Sequence, residues 1–317
     1  MMNFEELKKV GEGEIECLVI SLEEKKGGKD GVYTSVTLSD GNEKVGVNLW
    51  KKPEAFQPLV GKVVKGRFET NVKDGKTFIN AKDSRLIEVP GGDINKYLLW
   101  EPIDVNQCMG IIYKYVDSIT DPDLRAVTRD LLDSNAETYM RMAGGRAVHH
   151  DRFGGLIYHN YRMLATAKSL IGPYNLDYNL MIAGTVLHDI GKVKEMETDQ
   201  FGSTNYTLDG NLFGHLYMGA CMVDESCRKL GIDPEKQVIK LLKHIIISHH
   251  GKLEHDAIKV PAFKEAYAIH MVDDLDAKMY QYDKYEAEVP EGEISDKAYT
   301  YVDNAHIYHW RVANQDA

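Results

Sequence analysis

Seven residues combine the side chains and settings that metal chemistry requires. They are His159 in GGLIYHNYRML, the adjacent His188-Asp189 in AGTVLHDIGK, His215 in NLFGHLYMG, the doublet His249-His250 in IIISHHGK, and Asp273 in IHMVDDLDAKM. Imidazole and carboxylate donors with no thiolate among them suit Mn²⁺, Fe²⁺, Co²⁺ or Zn²⁺. An aspartate beside a ligating histidine can bridge two ions through its two oxygens. Two such ions polarise a phosphoryl group, generate hydroxide from water and stabilise the leaving oxygen. A phosphodiester needs this charge compensation, because attacking group and target both carry negative character. Lys192, one helical turn beyond Asp189, can reach back as a phosphate clamp or transition-state donor.

A lone His-Asp pair arises often by chance, but the ordered series H…HD…H…HH…D over 156–279, with glycines beside most members, does not. His244, His255, His270, His306 and His309 are read as structural or surface residues, since buried histidines commonly satisfy ordinary hydrogen bonds. A second doublet, His149-His150, could touch substrate or support the metal shell, and surface placement fits it equally well.

These residues need helices to bring them together. The helical period begins beyond Pro90-Gly91-Gly92-Asp93, and Asp121-Pro122 opens a helix with proline at its first position. Amphipathic runs follow at Asp123–Met142, Gly155–Leu170, Leu176–Ile190, Leu212–Leu230, Pro234–Ser248 and Ala262–Tyr282, punctuated by Gly172-Pro173, Gly231 and Gly251. Each candidate ligand falls within or at the end of one run, so the set can converge inside a helical bundle. The last thirty or so residues, with Tyr299, Tyr301, Tyr308 and Trp310, are read as a strand or an extension over the helical core.

The first 90 residues keep a different rhythm, alternating every two residues. Strands are predicted near Glu14–Lys25, Val32–Ser39, Lys44–Trp50, Gly61–Thr70 and Thr77–Val89, with a short helical turn over Pro53–Pro58. Five strands, a long first one and an insertion before the fourth fit a small OB-type barrel, a pattern that SH3-like barrels partly share. Alternation puts Val32, Thr34, Val36 and Leu38 on one face of the second strand, and Val45, Val47 and Leu49 on the apolar face of the third. Tyr33, Lys44 and Trp50 then lie on the outer face, where OB-folds stack bases and hold phosphates. Packing of Trp50 beneath the 51–58 segment is the plainer alternative.

A chain of 317 residues with 43% hydrophobic and 27% charged residues can bury two cores. No apolar run reaches the roughly 20 residues of a membrane span, and the polar start MMNFEELKKVGEGE does not read as a signal peptide. Four scattered cysteines read as reduced thiols of a cytoplasmic protein. The net charge of −11 is unevenly spread: residues 1–95 hold 15 basic against 16 acidic side chains, and the remainder 23 against 33 together with all 12 histidines. Carboxylates and imidazoles gathered in this way suggest bound cations, so the acidity does not exclude a polyanionic substrate.

With these motifs in hand, the chain resembles the HD-domain metallohydrolases, whose signature is seen as LHDIGK. A β-barrel ahead of GGLIYH, SHHGK and DDLDAKM in this order resembles the YhaM-type 3′→5′ exoribonucleases. The resemblance is specific over 149–280 and looser in the barrel. It implies an OB-fold nucleic-acid-binding domain over 1–90, a linker and first helix over 91–120, an all-α HD-type phosphohydrolase domain over 121–283 and an extension over 284–317. It implies one divalent ion held by His159, His188, Asp189 and Asp273, and a second by Asp189, His215, His249 and His250, with Mn²⁺ the first candidate and Fe²⁺, Co²⁺ or Mg²⁺ alternatives. Asp273 is preferred to Asp274 and Asp276 because the family's metal aspartate precedes an x-Leu-Asp-Ala string. The implied activity is 3′→5′ hydrolysis of single-stranded RNA, with DNA a second candidate polymer, to nucleoside 5′-monophosphates. A nucleotide or cyclic-dinucleotide phosphohydrolase and a nucleic-acid-binding regulator are the competing readings. A homo-oligomer is an expectation from base rate and the aromatic tail.

Overall fold

The computed structural model describes residues 2–26, 32–73, 76–145, 152–202 and 204–310. The chain divides into two compact units, one comprising residues 1–100 with 198–203, the other 101–197 with 204–317. No described helix is long and apolar enough to cross a membrane.

In the first unit, strands β1 (Glu12–Lys26), β2 (Val32–Ser39), β3 (Lys44–Leu49), β4 (Val63–Lys73) and β5 (Lys76–Glu88) close into a barrel of order β1-β2-β3-β5-β4. All neighbours are antiparallel except β3 and β5, which pair parallel through Val47↔Ile79 and Asn48↔Asn80. This is a five-stranded OB-type barrel. The alternation predicted for β2 and β3 is seen directly: Thr34, Val36, Leu38, Val45, Val47 and Leu49 are buried, and Val32, at the strand's start, is open. Two 3₁₀ turns, Pro53–Ala55 and Gln57–Leu59, fill the insertion before β4.

One barrel element escapes the periodic reading. Helix α1 (Phe4–Val10) is two turns long, held by a capping box in which Asn3 accepts from Glu6 N–H and Glu6 returns the bond. Its Phe4 is buried edge-on against Phe68, with ring centroids 5.5 Å apart.

The second unit is a bundle of α2 (Val105–Asp117), α3 (Pro122–Arg141), α4 (Gly155–Tyr174), α5 (Tyr178–Leu187), α6 (Lys192–Glu195), α7 (Leu208–Leu230), α8 (Gln237–Ser248) and α9 (Lys264–Glu286), with a ribbon of β6 (Met196–Thr198) and β7 (Thr204–Tyr206). The stretch read as linker and first helix therefore divides: 91–100 belong to the first unit, and α2 buries Cys108, Met109, Ile112 and Val116 in the bundle core. Helix α5 is apolar all round and buried from Leu180 to Leu187, which makes it the central rod, packed by α3, α4, α8 and α9. Helix α4 runs through Gly172-Pro173 rather than stopping before them. Asn175, in the left-handed conformation, ends it by donating to the Gly172 and Ile171 carbonyls. The described part of the tail forms no full strand and no helix beyond a 3₁₀ turn at Thr300–Val302: isolated bridges Ile294↔Tyr308 and Tyr299↔Ala305 fold it around Tyr299, Val302 and Ile307, and Tyr299 stacks on Tyr285 at 3.9 Å.

Candidate metal centre

Five histidines point their Nε2 atoms into one buried space, and each is aimed in the same way. His188 Nδ1 donates to the Thr185 carbonyl (2.8 Å), His249 Nδ1 to Ile246 (2.8 Å) and His250 Nδ1 to His255 (2.9 Å). His159 Nδ1 bonds Asp276 Oδ2 (2.8 Å) and His215 Nδ1 bonds Glu195 Oε1 (2.9 Å). Carbonyls and carboxylates only accept, so these contacts place the proton on Nδ1 and leave the Nε2 lone pair free to ligate.

The lone pairs form two groups. His159 Nε2 lies 3.3 Å from His188 Nε2 and 3.1 Å from Asp273 Oδ1. His215 Nε2 lies 3.3 Å from His250 Nε2, and His249 completes that second cluster. Imidazole nitrogens facing each other this closely repel unless a proton or cation stands between them. Asp189 separates the groups: Oδ2 is 3.3 Å from His188 Nε2 and 3.9 Å from His159 Nε2, whereas Oδ1 is 3.5 Å from both His215 and His249 Nε2. Both oxygens are buried and accept no aligned hydrogen bond, although Lys192 Nζ stands 2.7 Å from Oδ2. Lys192 offsets part of the cost of burying this carboxylate, and cations between the two imidazole clusters would satisfy the rest. The donor set therefore fits divalent metal.

Local backbone explains the convergence. Helix α5 stops at His188, so His188 and Asp189 project from the end of the central rod. Gly191 follows because a Cβ there would sit 2.0 Å from the His215 carbonyl oxygen. Helix α7 breaks at Gly214 (φ 71°, ψ 157°), a conformation that essentially only glycine adopts. The break frees the His215 N–H, which Glu195 Oε1 accepts at 3.0 Å while also holding the ring.

Electrostatics follow the same lines. Burial pushes His249 down to about 3 and lowers His250, keeping both in the neutral form that can ligate a metal. For His159 burial acts in the same direction, but Asp273 and Asp276 outweigh it and raise the ring to about 9, so without a cation its Nε2 also carries a proton, which a bound metal would displace. Asp189 is held well below the usual carboxylate range: burial opposes this, and Lys192 and His188 prevail.

Comparison with known proteins decides the lineage. The HD domain pattern matches residues 156–290. The chain is 32% identical over 307 residues to the 3′-5′ exoribonuclease YhaM of Bacillus subtilis (strain 168), covering 95% of this chain and 96% of that one. It is 36% identical over 216 residues to the protein of the same name from Bacillus pumilus (strain SAFR-032), covering 68% and 67%. This chain belongs to the YhaM family.

In this YhaM-family chain two acids orient the imidazoles from behind, Asp276, which the sequence offers only as a candidate passed over for Asp273, and Glu195, which it does not single out. Glu195 holds His215, and Asp276 holds His159 while accepting from Arg162 Nε at 2.7 Å. The place of Asp276 one turn after Asp273 on α9 was the available signal, whereas Glu195 had none beyond following HDIGK. Lys192 is buried and donates to the Gly144 carbonyl at 2.6 Å in addition to its contact with Asp189. With Asp189, His249, His250 and Asp273 it lines a cleft of about 520 Å³. The histidines read as structural make ordinary bonds: His244 Nε2 accepts from Ala262 N–H, and His270, His306 and His309 donate to carbonyls. His255 and His270 also line the cleft. His149 and His150 lie outside the described residues.

On the barrel, the Tyr33 and Trp50 rings pair at 5.2 Å, and Trp50, one residue past the end of β3, is 67% exposed. Lys44 shares their strand pair but sits at its other end, opposite Ser39, where its Nζ donates to the Gly202 carbonyl at 2.6 Å.

Proposed function

We propose that this chain is a metal-dependent 3′→5′ exoribonuclease that shortens single-stranded RNA to nucleoside 5′-monophosphates. The observation that carries the reading is the Asp189 carboxylate, buried between two imidazole clusters and ion-paired on one side by Lys192, in a chain related end to end to proteins named for that activity.

In the proposed assignment His159, His188, Asp189 and Asp273 hold one divalent cation, and Asp189, His215, His249 and His250 hold the second, with Mn²⁺ the first candidate. Two cations supply Lewis-acid polarisation of the phosphodiester and activation of water. The chain's own residues do the rest. Asp276 and Glu195 fix His159 and His215 so that no reorientation is needed when substrate arrives. Lys192, buried beside Asp189 and facing the cleft, presents fixed positive charge toward a non-bridging oxygen. The barrel would hold the strand through the Tyr33–Trp50 pair by stacking that tolerates any base. DNA is a second substrate of the same geometry, and the four free cysteines support a cytoplasmic setting.

A 5′-labelled single-stranded RNA incubated with Mn²⁺, Mg²⁺ or chelator tests the reading. A ladder shortening from the 3′ end, abolished by chelator, is expected. Cleavage that persists in chelator, or shortening from the 5′ end, would overturn it.

A further inference from the structure

A pocket of about 460 Å³ opens against the second cluster, with His215 and His250 in its wall. Around them stand Tyr206, Leu212, Phe213 and Ile258, all substantially exposed, Phe213 by 55%. Phe213 also pairs with Tyr217 at 5.8 Å, forming an open aromatic platform beside a polar centre. Exposed apolar side chains gathered round a pocket mark a binding site.

Charge separates this pocket from the cleft on the other side of the cluster. Among the described residues its lining includes no lysine or arginine, and its acids are Glu195 and Asp256. The opposite cleft does present cations, Lys192 and Lys278, alongside Asp189, Asp273 and Asp274; Lys192 pairs with Asp189, and Lys278 Nζ with Asp274 at 3.0 Å and Asp303 at 2.9 Å. It also holds Gln281, buried, whose Nε2 finds no hydrogen-bond partner among the described residues. With one phosphodiester on the centre, an RNA strand sends its remaining phosphates to one side. The other side receives only a terminal nucleoside, whose base is uncharged and aromatic.

Resting on the exoribonuclease reading, we infer that the Phe213 pocket seats the base of the 3′-terminal nucleoside, and that its acidic, cation-free wall disfavours a terminal phosphate. The strand body then leaves over the side of Lys192 and Gln281.

The test uses the full chain with Mn²⁺ and three 5′-labelled RNAs: a natural 3′ end, a 3′-terminal 1,4-anhydroribitol residue lacking the base, and a 3′-phosphate. Phe213→Ala should lower kcat/KM for the first cleavage of the natural end about tenfold, the scale of one lost base–aromatic stack, and Phe213→Tyr should stay near wild type. On the abasic end wild type and Phe213→Ala should be equally slow, and wild type should cut the 3′-phosphate strand more slowly than the natural one. An equal loss from Phe213→Ala on natural and abasic ends would overturn the pocket's role. So would wild type that cuts those two ends at one rate, a comparison independent of whether the variant folds. Wild type that shortens no strand counts instead against the exoribonuclease reading itself.

Discussion

Replacing Asp276 with Asn keeps an acceptor of similar shape beside His159 but removes the charge shared with Arg162. If aiming the imidazole is its role, Asp276→Asn and Glu195→Gln should each weaken metal binding roughly 10- to 100-fold, read by titrating metal into chelator-stripped protein. His188→Ala should abolish RNA cleavage while gel-shift affinity for the strand survives. Off the centre, His244 offers a titration of known sign. Burial lowers it below its ordinary 6.5, and its Nε2 accepts from Ala262 N–H, which requires the neutral ring. The folded state thus binds fewer protons than the unfolded chain, so His244's contribution is complete above pH 6.5 and lost as pH falls. An NMR midpoint for its ring above 6.5 would contradict this. The convergence of these seven residues was legible because the ligand chemistry proposed for them restricts such positions to His and Asp. Their orienting acids were not: Asp276 meets His159 across 117 residues of sequence.

At the scale of elements, close approach and chain reversal place the candidate ligands. Gly191→Ala forces a Cβ against the His215 carbonyl oxygen, and Gly214→Ala puts a side chain in a glycine-only conformation. Each should cost roughly 1–3 kcal/mol, visible as a lower Tm of the metal-free protein. Unchanged melting would mean that the α7 break relaxes freely. Long helices and strands were readable because many periodic residues vote together. Helix α1 was missed because two turns carry too few, although Asn3 and Glu6 spell its capping box. Pro173 misled for a related reason, since a proline in the last turn can be accommodated as the helix ends at Asn175.

For the molecule as a whole, a near-neutral barrel precedes an acidic, histidine-rich bundle, and on the proposed reading the first would hold a strand that the second cuts. Alternation showed which face Tyr33, Lys44 and Trp50 share. It could not show that Lys44 lies at the far end of the strand pair and bonds Gly202, because alternation fixes facing and not reach. Trp50→Ala should therefore raise KM for long RNA by roughly the five- to hundredfold of a lost stack, and leave bis(p-nitrophenyl) phosphate turnover unchanged. Equal losses on both would remove the barrel from strand binding.

Metal counting on gel-filtered protein addresses the shared carboxylate directly. Plasma mass spectrometry should find two divalent ions per chain in the wild type and fewer than one in Asp189→Ala. A wild type that retains at most one ion, or an alanine variant that keeps both, would contradict a bridging Asp189.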